Sequence, residues 1–185
     1  MFRVPAILFF RSTLTNYVKL QVGDDAMKKR IHNLFYLLLA IILVEFIGFL
    51  SALFAGNIKQ AYHNLTLPPL SPPDSLFGIV WPFLYLLIGI SGYMIFFKNM
   101  PRKTKVISGT LYFLQLSINF IWSIVFFGRN NYWQGFLWII VLDLLVLSYI
   151  LYLRNRNRIA AILFYPYFIW ILFATYLSFG VAILN

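Results

Sequence analysis

The residues best suited to chemistry in this 185-residue sequence are its tryptophans, three of which, Trp81, Trp122 and Trp170, lie several residues inside long apolar stretches. An indole ring offers a flat, polarisable face and one N–H donor, so buried indoles favour stacking on flat apolar molecules. Tryptophan also anchors helices at a membrane surface without any ligand, and Trp133, at the start of an apolar stretch, fits that role. The three deeper indoles instead predict a site for a flat, largely apolar ligand.

A polar stripe accompanies these indoles. Gln115, Asn119 and Trp122 are spaced by four and three residues, which places them on one face of a helix. Amide groups are costly against lipid, so this face is expected to meet protein or a cavity. Two interpretations remain open: the amides bind a ligand, or they hydrogen-bond one helix to the next.

Two carboxylates, Glu45 and Asp143, lie near the middle of apolar stretches that hold no Lys, Arg or His at that depth. A charged carboxylate at the centre of a bilayer costs about 2.5 to 3.5 kcal/mol on insertion scales, and such a residue is a functional candidate by default. We expect both groups to be protonated, to face water, or to hydrogen-bond to side chains such as Gln115 and Asn119. The alternative is a neutral acid that only bonds one helix to the next.

These residues are positioned by five apolar stretches, at residues 33–56, 76–97, 106–127, 133–153 and 159–184. Each is near or above the roughly 20 residues that a helix needs to cross hydrocarbon. The composition agrees, since only 11% of residues are charged, against roughly 25% in an ordinary soluble domain. None of the stretches alternates apolar and polar residues, which excludes a β-barrel. The fold prediction is an all-α membrane protein, a bundle of five transmembrane helices.

The basic residues behind the net charge of +10 are concentrated in alternate connections. The segment before the first stretch holds six Lys or Arg, the second connection four and the fourth three, whereas the first and third hold one each and the C-terminus none. By the positive-inside rule, this asymmetry predicts a cytoplasmic N-terminus and a C-terminus outside. Because the basic residues flank apolar stretches and form no separate domain, nucleic acid is not expected as a partner.

With this topology, aromatic and small residues of four helices converge in the outer half of the membrane, since each residue rises about 1.5 Å along a helix. The connection at residues 57–75 lies above them, and four prolines within six residues stiffen it, so we expect it to act as a lid. The candidate ligand-binding residues are Trp81, Tyr85, Gln115, Asn119, Trp122, Trp138, Trp170 and Ala174, together with Pro68, Pro72 and Pro73 of the lid.

Other chemistry is limited by what the sequence contains. There is no cysteine, and the two histidines, His32 and His63, lie outside the apolar stretches without ligand spacing, so neither a metal site nor an intrinsic cofactor is expected. Residues 1–32 are expected to form a cytoplasmic N-terminal tail. Because Met27 and the basic residues after it would make an ordinary N-terminus, residues 1–26 are expected to be dispensable, and residues 33–185 form the predicted five-helix domain.

Several motifs occur together and in order between residues 34 and 185. They are the lid prolines, the pairs Val80-Trp81 and Leu84-Tyr85, the stripe from Gln115 to Trp122, Phe126-Phe127-Gly128, and the segment from Tyr165 to Leu177 that holds Trp170 and Ala174. In this combination the chain resembles the TspO/MBR family, the translocator proteins or tryptophan-rich sensory proteins, and bacterial members most of all.

The resemblance implies a five-helix bundle, usually a homodimer, with a pocket open toward the first loop. Family members bind porphyrins such as protoporphyrin IX, while haem-related tetrapyrroles, cholesterol or benzodiazepine-type ligands are recorded for some. Some bacterial members are credited with light- and oxygen-dependent breakdown of protoporphyrin, and the tryptophans linked to that chemistry match Trp81 and Trp170 here. The implied location is a bacterial cytoplasmic membrane, or the mitochondrial outer membrane in a eukaryote.

The chain also departs from the family pattern. Ala61 and Leu70 stand where many members carry Trp, so the lid has lost ring surface. Trp138 stands where an acidic residue is expected, and Asp143 lies five residues further on. Three functions therefore remain open. The chain is a receptor or photo-oxidative degrader of tetrapyrroles, a transporter of porphyrin or small apolar molecules with Glu45 and Asp143 as protonatable groups, or a purely structural membrane protein.

Overall fold

The structure, a computed structural model, describes the backbone of residues 4–185 and the side chains of residues 27–185. Residues 1–38 and residues 39–185 form two compact units. The helix bundle and its cavity belong to the second of these units. The predicted N-terminal tail falls mostly outside the residues whose side chains are described, so its dispensability stays a prediction.

Seven α-helices make up the described chain, and no strand occurs within residues 4–185. They are α1 (Val4–Ala55), α2 (Ile58–His63), α3 (Asp74–Phe96), α4 (Arg102–Ser123), α5 (Tyr132–Leu153), α6 (Arg158–Ile162) and α7 (Tyr165–Leu184), with a π-helical turn at Ile124–Gly128 that extends α4. Five segments are long and apolar enough to span a membrane: Met27–Ala55, Asp74–Phe96, Arg102–Gly128, Tyr132–Leu153 and Arg158–Leu184. The predicted five-helix membrane fold is confirmed, and the orientation of the termini stays a prediction.

The ends of these helices follow the local sequence. α5 begins after Asn131 and α6 begins after Asn157, and each asparagine Oδ1 accepts a hydrogen bond of 3.2 Å from the backbone N–H three residues later. α4 begins after Pro101, which has no N–H to leave unpaired. Gly56 adopts a φ of +79°, a value that favours glycine, and the chain leaves α1 there.

The core of residues 39–185 is centred on α5, which packs most extensively against α4 and α7. One face of α5 is buried at helical spacing, and the other face is exposed, as expected where a helix meets lipid. The buried face consists of Ile139, Leu142, Val146, Tyr149, Ile150 and Leu153.

We distinguish two ends of the helices within residues 39–185. The lid end is the end beside the lid, and it also holds Asn185. Because α3 begins at Asp74, the lid is residues 57–73 in the structure and two residues shorter than the predicted connection at residues 57–75. The closed end is the end beside residues 97–101 and 154–157. At the closed end the Ser91 hydroxyl donates to the Ala160 carbonyl at 3.0 Å and lies 2.8 Å from the Tyr149 hydroxyl. The rings of Tyr149 and Phe164 are 4.2 Å apart and fully buried, so this end is closely packed.

Small residues permit the close approach of helices between these ends. A Cβ atom on Gly89 would lie only 2.7 Å from the Cα atom of Ile41, so α3 and α1 cross where only glycine fits without backbone movement. Gly48 of α1 similarly receives the ring of Tyr85. These contacts set the spacing between α1 and α3, two helices that flank a cavity at the lid end.

Candidate ligand-binding site

A cavity of about 890 Å³ lies at the lid end between α1, α3, α4 and α7, with α2 across its mouth. Its walls are mainly apolar and aromatic, and they include residues from all of these helices. Phe46 and Phe49 of α1 line the cavity although both are more than half exposed, so the cavity also opens sideways beside α1. Its volume lies within the range of about 300 to 1,000 Å³ that small-molecule sites occupy.

Three indoles form much of the cavity wall: Trp81 from α3, Trp122 from α4 and Trp170 from α7. Trp81 lies with its ring centroid 5.4 Å from that of Tyr85, at an interplanar angle of 31°. Trp170 meets Phe77 edge to face, with centroids 6.0 Å apart. Trp81 and Trp170 are half-buried, so part of each ring remains available to a ligand.

A hydrogen-bonded bridge fixes the helices beneath the cavity. The Tyr85 hydroxyl donates to Asn119 Oδ1 at 2.9 Å, and Asn119 Nδ2 donates to the Tyr167 hydroxyl at 3.1 Å. The bridge therefore joins α3, α4 and α7 through one amide. All three side chains are buried, where an unpaired polar group would cost about 1 to 3 kcal/mol.

The lid is held by its own hydrogen bonds. The Tyr62 hydroxyl of α2 donates to the Pro72 carbonyl at 2.6 Å, and Ser71 Oγ donates to the Pro68 carbonyl at 2.7 Å. Burial raises the pKa of the Tyr62 hydroxyl, so this group keeps its proton and its donor role at neutral pH. Leu70 adopts a φ of +65°, which turns the chain between the two proline pairs.

Further bonds attach the lid to α7. The Tyr176 hydroxyl donates to the Pro69 carbonyl at 2.8 Å. Asn185 accepts a hydrogen bond from the Thr66 N–H at 2.9 Å and donates to the Thr66 carbonyl at 3.0 Å. Pro68 packs so closely on Gly180 that a Cβ atom at that glycine would lie 2.6 Å from the proline ring. The lid therefore rests directly on α7.

The rim of the cavity carries the only contacts between acidic and basic side chains within residues 27–185. Asp74, the first residue of α3, lies 3.4 Å from Lys59 Nζ and 3.4 Å from His63 Nε2, both on α2. Lys59 and Asp74 line the cavity mouth. Because the Lys59 side chain is 74% exposed, solvent screens this pair and the contact stabilises the lid only slightly.

The structure brings six of the candidate residues together in the cavity wall: Trp81, Tyr85, Asn119, Trp122, Trp170 and Ala174. The other five are not in that wall. Pro68 and Pro72 are buried within the lid and Pro73 precedes α3, so these prolines shape and hold the lid instead of lining the cavity. The binding roles of the six stay predictions.

Gln115 and Trp138 are the remaining candidates outside the cavity. Gln115 is fully buried on α4, and neither atom of its amide has a hydrogen-bond partner among the described side chains. Trp138 is half-buried on α5. The predicted stripe does face protein, but only Asn119 and Trp122 of that stripe reach the cavity.

The two intramembrane carboxylates differ in their surroundings. Asp143 Oδ2 accepts a hydrogen bond from the Thr175 hydroxyl at 2.7 Å, and the residue does not line the cavity. Glu45 lines the cavity and is half-buried. Of the alternatives predicted for these acids, a hydrogen bond to a polar side chain holds for Asp143, whose partner is Thr175. Asn119 instead bonds two tyrosines.

Sequence reasoning missed the contribution of α1 to the site. Gly48, Phe49 and Ala52 line the cavity on the same helix as Glu45, at spacings of three, four and seven residues. That spacing places them on one helical face and was available in the sequence. It was missed because small and aromatic residues on an apolar helix are equally typical of ordinary helix packing.

Comparison with known proteins agrees with this architecture. The model of the TspO/MBR family matches residues 40–184. Tryptophan-rich protein TspO of Archaeoglobus fulgidus is 38% identical over 154 residues, which cover 83% of this chain and 99% of that protein. Protein CrtK of Rhodobacter capsulatus is 30% identical over 124 residues, covering 67% of this chain and 78% of that protein. Translocator protein of Ovis aries is 30% identical over 135 residues, covering 71% and 79%. The chain is a multi-pass membrane protein that belongs to the TspO/MBR family.

Proposed function

We propose that the chain binds a flat, largely apolar molecule in the cavity at the lid end, with tetrapyrroles such as protoporphyrin IX or haem as the ligand class. The observation that carries this proposal is a cavity of about 890 Å³ with three indoles in its wall. Indole faces stack on aromatic macrocycles, and an apolar wall with few polar groups suits a ligand of that kind.

In this proposal, different parts of such a ligand occupy different parts of the cavity. Trp81 and Trp170 offer ring faces to the macrocycle, and the Tyr85–Asn119 bond fixes the wall beneath it. Acidic substituents, which protoporphyrin IX and haem carry at one edge, would lie at the rim near Lys59. The ligand would therefore enter with its apolar edge first.

A titration of protoporphyrin IX, followed by its visible absorbance, tests this proposal. The double variant Trp81→Phe, Trp170→Phe keeps apolar rings but removes both indoles, so we expect about tenfold weaker binding. The matched control is Trp133→Phe, Trp138→Phe, which changes two indoles outside the cavity and should leave the affinity unchanged. Equal affinity in the two double variants would contradict the assignment of the cavity.

The two half-exposed indoles favour a second activity, photo-oxidative degradation of the bound porphyrin. Light excites the macrocycle, which transfers its energy to dissolved O₂, and the resulting singlet oxygen adds to the macrocycle or to a nearby indole. The test illuminates the bound porphyrin under air and follows its absorbance. Loss faster than in detergent alone is expected, and equal rates would remove this activity while leaving binding intact.

Proton-coupled transport is less well supported by the structure. Asp143 is bonded to Thr175 and does not line the cavity, so it does not share a path with Glu45 there. A flux assay in vesicles distinguishes transport from binding. We expect no porphyrin flux that depends on a pH gradient across the vesicle membrane. The homodimer and the membrane of residence implied by the family resemblance stay predictions.

A further inference from the structure

Among the residues whose side chains the structure describes, the cavity wall contains one acidic group without a partner. Its walls hold three Lys, Asp or Glu side chains: Lys59, Asp74 and Glu45. Lys59 and Asp74 form an ion pair at the rim, 3.4 Å apart, and largely neutralise each other. Glu45 has no hydrogen bond or ion pair among the side chains that the structure describes. An ionised Glu45 therefore gives the cavity wall a net charge of −1.

Glu45 lies at a depth where an unpaired negative charge is energetically costly. This residue lies ten positions before Ala55, the last residue of α1, which corresponds to a distance of about 15 Å along the helix. At that depth the dielectric is low and a lone carboxylate is costly. The nearby Tyr85 hydroxyl cannot stabilise the Glu45 carboxylate, because Tyr85 donates its single hydrogen to Asn119. A bound group that donates a hydrogen bond or carries a positive charge would stabilise this carboxylate.

We propose that Glu45 makes the cavity prefer ligands whose flat aromatic body carries a protonated nitrogen. This inference rests on the proposed function, since it assumes that flat aromatic molecules enter the cavity. The protonated nitrogen would donate a charged hydrogen bond to the Glu45 carboxylate. The indole of Trp81 in the same wall would add a favourable cation–π contact.

Loss of the Glu45 charge is expected to affect the binding of acidic ligands differently from that of cationic ligands. A dicarboxylate such as protoporphyrin IX gains nothing from Glu45, and its negative groups are repelled by an ionised carboxylate. Removal of the Glu45 charge should therefore weaken binding of a cationic ligand and leave that of protoporphyrin IX unchanged or slightly improved. This opposite response separates a charge effect from general damage to the cavity.

The experiment compares 9-aminoacridine, which is protonated at neutral pH, with anthracene, which has the same three-ring body without charge. Dissociation constants are measured by quenching of tryptophan fluorescence at one fixed detergent concentration. For each probe, the dissociation constant of the variant is divided by that of the wild type. This ratio cancels the partition of the probe into micelles. Glu45→Gln keeps the shape and removes the charge, and Glu45→Met is a second variant with the same expectation. Asp143→Asn is the matched control, because it neutralises the other intramembrane acid, which lies outside the cavity wall.

We expect Glu45→Gln to weaken 9-aminoacridine binding by about 10- to 100-fold, as for loss of a charged hydrogen bond, and to leave anthracene within about twofold. Asp143→Asn should leave both probes unchanged. The inference is overturned if Glu45→Gln leaves 9-aminoacridine unaffected, or if it weakens both probes equally. If protoporphyrin IX binds the wild type but 9-aminoacridine does not, this inference fails alone. If none of the three binds, the proposed function fails.

Discussion

The lid end and the closed end of the helices between residues 39 and 185 both contain aromatic side chains, but these side chains have different surroundings. At the closed end, Tyr149 and Phe164 fill the space between helices, and the Tyr149 hydroxyl is paired with Ser91. At the lid end, Trp81 and Trp170 face a cavity instead of each other. The comparison indicates that aromatic side chains at the closed end stabilise the fold, whereas those at the lid end line the cavity that we propose as the ligand-binding site.

The cavity wall also holds buried polar atoms without a partner among the described residues, as do Gln115 and Asp143 outside it. The Nε1 atoms of Trp122 and Trp170 are buried without a partner among the described residues. Both indoles belong to the cavity wall. Unpaired buried polar atoms reduce stability, and in native proteins they are often found where function requires them. Stability and binding should therefore respond to different substitutions in this molecule.

The largest expected effect is the loss of packing at the closed end. Phe164→Ala leaves a void beside Tyr149 and should lower the free energy of unfolding by about 3 to 5 kcal/mol, as for other buried phenylalanines. Phe77→Ala is the matched change at the lid end, where the ring is half-buried beside the cavity, and should cost less stability but weaken porphyrin binding. Unfolding in detergent and porphyrin titration of both variants measure the difference. Equal loss of stability would contradict the division between the two ends.

A smaller effect on the free energy of unfolding is expected from the two buried amide side chains of α4, Asn119 and Gln115. Asn119→Leu breaks two hydrogen bonds and leaves the Tyr85 and Tyr167 hydroxyls unpaired, so the free energy of unfolding should fall by about 1 to 3 kcal/mol. Gln115→Leu removes an amide that has no partner among the described side chains, so it should leave stability unchanged or raise it by about 1 kcal/mol. Thermal unfolding of the two variants checks this. A larger loss for Gln115→Leu would show that the Gln115 amide is paired in the folded protein.

The next prediction tests whether the lid slows dissociation of the ligand. Tyr62→Phe removes the bond to the Pro72 carbonyl, worth about 1 kcal/mol, so bound porphyrin should dissociate about fivefold faster with little change in unfolding. Tyr132→Phe is the control, since its hydroxyl bonds only the exposed Asn130 at 3.3 Å. Stopped-flow displacement of porphyrin measures both rates. An unchanged rate in Tyr62→Phe would mean that the lid does not retain the ligand.

The smallest expected effect concerns charge at the rim. Lys59→Met removes the cation near the proposed position of the porphyrin carboxylates, and we expect about twofold weaker binding with a reduced dependence on salt, because the Lys59 side chain is exposed and screened. Arg129→Met changes another exposed cation, which does not line the cavity, and should have no effect. Titrations at low and high salt measure both. Equal effects of the two substitutions would indicate that only overall charge matters.

Much of this architecture could be predicted from the sequence because the patterns that indicate it extend over many residues. Apolar stretches of about 20 residues or more predict spanning helices, and the spacing of Asn119 and Trp122 predicts a shared face. The proline content predicted a stiff lid, although it could not show that Pro68 rests on Gly180. Whether Gln115 or Asn119 reaches the cavity depends on a small rotation of the helix, which a spacing pattern does not determine. The position of Glu45 in the cavity wall similarly depends on the crossing of α1 and α3 at Gly89.

The central claim is that a ligand occupies the cavity between the indoles of the lid end, and fluorine NMR tests it most directly. Protein labelled with 5-fluorotryptophan gives five resonances, one for each tryptophan, which single Trp→Phe variants assign. On addition of protoporphyrin IX, the ring current of the macrocycle should shift Trp81, Trp122 and Trp170 strongly and leave Trp133 and Trp138 nearly unmoved. Larger shifts at Trp133 and Trp138 than at the three cavity indoles would contradict the account.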